Sequence, residues 1–92
     1  MGKIDVLEGE IVRVAGKEPE IGDAMRVVFS KGALNYKDEI VILGGGGFRG
    51  YPSAGLYTEL SRRAEEGSKM QCIITEIKKE GVYNALFGPV IN

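Results

Sequence analysis

The chain has 92 residues, 43% of them hydrophobic and 27% charged, with a formal net charge of −1. That composition suits one small globular domain and excludes wholesale disorder, while near-neutrality supplies no global attraction for polyanions or membranes. Histidine is absent and cysteine occurs once, which removes the usual general base, the Ser-His-Asp triad, most zinc sites and any internal disulfide.

These exclusions set the expectations that follow. A lone thiol, Cys72, fits a reducing compartment, and its setting in Met70-Gln71-Cys72-Ile73-Ile74 reads as a packed core position with no base to activate it. No apolar run approaches the roughly 20 residues of a membrane span. The opening MGKIDVLEGE has acidic residues where a secretory signal needs its apolar centre. A cytoplasmic protein without a membrane partner is expected. Residues 1–23 carry three basic and six acidic groups and residues 24–92 nine and seven, a mild asymmetry.

Taken in chain order, Ile4 to Leu7 and Ile11 to Val14 are two short β-leaning runs about Gly9, one bulged strand or two. Residues 15–23 have the Gly, Pro and charge of a loop. Met25, Val27 and Phe29 then alternate with Arg26, Val28 and Ser30, the period-two mark of a sheet strand. The stretch Asn35 to Leu60 organises the rest. A polar turn, Asn35-Tyr36-Lys37-Asp38, leads into the apolar strand Ile40 to Leu43. Four glycines, Gly44 to Gly47, then form a hairpin tip, and Phe48-Arg49-Gly50-Tyr51 returns as the partner strand. Ser53 is placed to cap a helix that stops by Gly67. Leu56, Tyr57, Leu60 and Ala64 share one stripe of that helix, and Glu59–Arg63 and Arg62–Glu66 have helix-supporting spacing. Met70 to Lys79 and Val82 to Phe87 read as a closing hairpin, ended by Gly88-Pro89.

The order β-β-β-β-β-α-β-β predicts a single domain over residues 1–92, α+β and mostly antiparallel. A small sheet that must hide its edges tends to close, so a barrel with one main helix is expected. OB-like and SH3-like barrels both fit. Val27, Phe29, Val41, Leu43, Leu56, Leu60, Cys72 and Ile74 are the expected core.

The chemistry is that of binding. A phosphate loop needs Gly-Lys-Ser/Thr at its end and a helix directly after, and here Gly47 is followed by Phe48-Arg49. Asp38 and Glu39 are adjacent, so on a strand they point to opposite faces and make no acid–base pair. No catalytic residue, metal ligand or cofactor is assigned. Tyr36, Lys37, Phe48, Arg49 and Tyr51 instead gather at one hairpin, aromatic faces for unpaired bases beside cations for phosphates. Phe48 and Tyr51 are three apart, so on a regular strand one of them faces the core.

The order of Asn35-Tyr36-Lys37-Asp38, an apolar strand, a Gly-rich tip, Gly50-Tyr51-Pro52 and a helix bearing Ala54 and Leu60 resembles the HIRAN domain. That family shows an Asn-Pro-x-Asp turn, an aliphatic strand, a Gly-Tyr-[Ile/Val]-Pro step and an Ala-x-x-[Leu/Ile]-[Ala/Ser] helix. Ile21-Gly22-Asp23 followed by Val27-Val28 is similar to its Pro-Gly-Asp turn and strand. Tyr36 stands where the family has Pro, and Pro52 follows Tyr51 directly. The resemblance implies an OB-like barrel that binds single-stranded DNA, in the studied type at a free 3′ end. Asn35 and Asp38 would then shape the turn and hold a terminal hydroxyl. Tyr36, Phe48 and Tyr51 would stack on bases, and Lys31, Lys37 and Arg49 would meet phosphates. The competing expectation is a protein-interaction or homodimerisation module that uses a barrel edge or the Tyr57/Leu60 helix face.

Overall fold

In a computed structural model, which describes residues 7–30, 32, 39–65 and 69–90, alternation decides the architecture. Six strands are formed: β1 (Leu7–Ala15), β2 (Ala24–Ser30), β3 (Glu39–Leu43), β4 (Arg49–Pro52), β5 (Met70–Lys79) and β6 (Val82–Pro89). One helix, α1 (Ala54–Glu65), lies between β4 and β5. Every strand pair is antiparallel, and the order β1-β4-β3-β2-β5-β6 closes on itself through β1–β6. Among the described residues, closure leaves no strand edge open, which is the solution a small sheet needs. The antiparallel barrel with one helix is therefore as expected from the sequence.

Period two sends alternate side chains inward. Met25, Ile40, Ile42, Phe48, Cys72, Ile74, Tyr83, Ala85 and Phe87 face the interior and join one buried cluster with Ile11, Leu56, Leu60 and Met70. Val27 and Phe29 pack against that cluster half-buried. Of the expected core, Val41, Leu56, Leu60, Cys72 and Ile74 are buried. Leu43 is not: the inward positions of β3 are Ile40 and Ile42, and Leu43 is half-buried on the outside. An unbroken Ile-Val-Ile-Leu run carries no alternation from which the inward parity could be read.

The N-terminal runs are one strand in the described part, with β1 passing straight through Gly9. The irregularity falls between Arg13 and Ala15 instead. Gly9 is small for a reason: a Cβ there would sit 2.9 Å from the Leu56 side chain. Leu56 and Leu60 thus carry α1 against the end of the barrel where β1 begins. The helix starts where expected, with the Ser53 carbonyl accepting the Tyr57 N–H at 2.8 Å. Glu59 receives Arg62 at 2.8 Å and lies 3.9 Å from Arg63; the expected partner Glu66 and the stop at Gly67 lie outside the described residues. No helix among the described residues is long and apolar enough to cross a membrane.

The opposite end is closed by backbone. Gly16 adopts φ +86°, and a Cβ there would fall 2.1 Å from the Gly47 carbonyl oxygen. The Lys17 N–H donates to the Gly46 carbonyl at 3.0 Å. Only glycine allows both that dihedral and that approach. Beneath these loops the Tyr83 ring is fully buried, edge-on to Phe48 with centroids 6.0 Å apart. Its hydroxyl accepts from Arg13 Nε at 3.1 Å and donates to Glu18 Oε1 at 3.2 Å. An inward tyrosine at a barrel mouth keeps its ring dry and its hydroxyl paired.

Candidate nucleic-acid interface

β4 divides the expected site into two. Phe48 and Gly50 face inward, and Phe48 is 1% exposed. The expectation that Phe48 stacks on a base gives way: its ring is in the core against Tyr83 and offers no free face. Arg49 and Tyr51 face outward on the same strand. The Arg49 guanidinium carbon lies 5.9 Å from the Tyr51 ring centroid, and Nη2 donates to the Tyr51 hydroxyl at 3.3 Å. That hydrogen bond, with smaller help from the charge of Glu39, holds the Arg49 pKa above its ordinary value. Among the described residues Arg49 makes no ion pair. Asn35, Tyr36, Lys37 and Asp38, with Lys31, lie outside the described residues.

Strand register adds a residue that the sequence reading omitted. Leu43 is the cross-strand partner of both Arg49 and Arg26, so Arg49, Leu43 and Arg26 form one row over β4, β3 and β2. All three are outward positions. The arginines are two strands apart, roughly 10 Å at the usual interstrand spacing. Gln71 continues the row on β5 as the partner of Arg26, and Ala15 continues it on β1 as the partner of Arg49. No carboxylate lies in this row. One outward step along β4 is Tyr51, paired with the exposed Val12. The alternation of Met25, Arg26 and Val27 foretold that Arg26 is outward; its place beside Arg49 depends on pairings the sequence does not spell.

The glycines form a hairpin tip, a 3-10 turn over Gly45–Gly47 in which Gly46 has φ +67°. They lead into a strand and not into a helix, so the turn lacks the aligned helix N-terminus of a phosphate loop. The neighbouring cleft of about 450 Å³ is lined by Glu18, Glu20 and Asp23 against a single cation, Lys17, a poor setting for phosphate. Asp23 itself is engaged in its turn, where Oδ2 accepts the Glu20 N–H at 2.9 Å. Among the described residues no group of acidic or thiol side chains is placed to hold a metal ion. Burial pushes the Cys72 thiol up to about 12, which keeps it protonated and unreactive at neutral pH.

Of the helix pair named for the competing expectation, Tyr57 is half-buried. The closed ring offers no edge strand among the described residues, and Leu60 is 1% exposed, inside the core. Comparisons of the chain with protein-family models, curated proteins and solved structures found no match.

Proposed function

We propose that this protein is a non-catalytic binding module, an OB-like, HIRAN-like barrel that takes single-stranded DNA across the outside of β4, β3 and β2. One observation carries the reading: Arg49 and Arg26 share an outward row with no carboxylate in it, next to the outward, half-buried aromatic Tyr51. Cations spaced along a sheet follow a phosphate backbone, and an aromatic beside them receives a base, a sequence-tolerant combination. Arg49 turns from the Tyr51 ring to a phosphate, and a base takes the vacated ring face. OB-like barrels use the outer face of their sheet in this way.

The test is a fluorescence-anisotropy titration of a short labelled strand at two salt concentrations. Saturable binding that weakens with salt is the expected result; none at low salt removes the reading. Strands ending in 3′-hydroxyl and 3′-phosphate then separate end capture from general contact, and equal affinities reject end capture.

A second reading has its own observation. Ile73 and Leu86 are cross-strand partners on the outside of β5 and β6, 43% and 41% exposed. Such a pair suits a protein partner or a second copy, and sedimentation of the free protein at rising concentration tests the latter.

A further inference from the structure

Beside the arginine row the surface dips into an open concavity of about 350 Å³, walled by Met25, Arg26, Leu43, Gly44 and Gln71. Its size is at the lower end of small-ligand sites, which run from roughly 300 to 1,000 Å³. The wall chemistry is mixed in a specific way. Leu43 is a half-buried apolar wall, and the Met25 side chain beneath belongs to the core. Gly44 packs closely on that side chain, since a Cβ there would lie 3.0 Å from Met25. Arg26 and Gln71 are cross-strand partners on the outer face, and among the described residues neither side chain has a protein hydrogen-bond partner. Gln71 is half-buried, so its amide is held at the wall with both donor and acceptor unspent.

We propose that this concavity is a base-docking subsite for one nucleotide of the bound strand. Leu43 packs against the base, the Gln71 amide reads its hydrogen-bonding edge, and Arg26 meets the adjoining phosphate. The inference rests on the single-strand reading above and deepens it. A track of cations and an aromatic is indifferent to sequence, whereas a carboxamide presents a donor and an acceptor together and so separates bases by their edges. The base preference of this protein resides at Gln71, and its salt dependence at Arg26 and Arg49.

The experiment compares wild type with Gln71→Ala and Arg49→Ala on labelled hexamers of each base and on an abasic hexamer of equal phosphate count. Circular dichroism melts confirm that each variant is folded. Wild type is expected to prefer one base by about ten-fold, and Gln71→Ala to reduce that preference to under two-fold while leaving abasic binding and the salt slope unchanged. Arg49→Ala should weaken all strands, the abasic one included, and keep the preference. A wild-type preference that survives Gln71→Ala overturns the subsite, as does a wild type that binds all four bases equally, while single-strand binding itself stands in both cases. Failure of wild type to bind any strand removes both.

Discussion

The two sides of the barrel wall treat charge differently. On the β1–β6–β5 side polar groups are paired across strands, one of the pairs ionic. Lys78 Nζ meets Glu10 Oε2 at 2.7 Å, and Asn84 Nδ2 donates to Glu8 Oε2 at 2.7 Å while the Asn84 backbone carbonyl accepts the Thr75 hydroxyl at 3.1 Å. On the β4–β3–β2 side Arg49 and Arg26 have no acidic partner among the described residues, and the contact Arg49 does make is with an aromatic ring. Cross-strand pairs stabilise a sheet modestly. Cations left unmatched in a row do little for the fold and remain available to an external anion. The near-neutral total hides this division.

The largest expected effect tests the shared support of both sides. Phe48 lies between Arg49 and the Gly-rich turn but points inward, so Phe48→Ala should cost about 3–5 kcal/mol in chemical denaturation. Leu60→Ala, at the helix plug, should cost about 2–4 kcal/mol, a large share of so small a domain's stability. A loss under about 0.5 kcal/mol at either position is what a surface residue would give.

Next is Tyr51. Tyr51→Ala should weaken single-strand binding by about 1–3 kcal/mol with an unchanged salt slope. A melting shift as large as that of Phe48→Ala would instead make Tyr51 a structural residue.

The smallest effect belongs to the matched side. Lys78→Ala removes an exposed, solvent-screened pair, so stability should change little and strand affinity not at all. Hydrogen bonding to Glu10 raises the Lys78 pKa. The stability that this shift confers is present below the pKa of the unfolded lysine and is lost as pH rises through the higher folded value. Denaturation curves of wild type and Lys78→Ala should therefore converge at strongly alkaline pH.

Much of the frame was legible because it is local. The β3–β4 hairpin follows from Gly44 to Gly47, the helix start from Ser53 and its buried face from the Leu56/Leu60 stripe, and the last hairpin from Glu80-Gly81 between two apolar runs. What was not legible depends on distant partners. Closure of β1 on β4 joins residues about forty positions apart, and its closure on β6 and the contacts of buried Tyr83 with Arg13 and Glu18 join residues about seventy apart. Phe48 and Tyr51 had the spacing to face opposite ways, but parity alone did not say which was inside; the inward set of β4 follows from its pairing with Ile42 at Gly50. Arg26 entered the candidate site for the same reason, through register with Leu43 and not through any motif.

The most direct test of the two-sided account compares salt dependence in two double variants, Arg26→Ala/Arg49→Ala and Lys78→Ala/Lys79→Ala. Each removes two positive charges, so net charge is held equal between them. Log affinity for a short single strand is measured against log salt. The account predicts that the first variant loses about 1.4 from the slope, two phosphates at about 0.7 each, and that the second keeps the wild-type slope. Equal losses in both variants would contradict it, because binding would then follow net charge and not the row of arginines on β2 and β4.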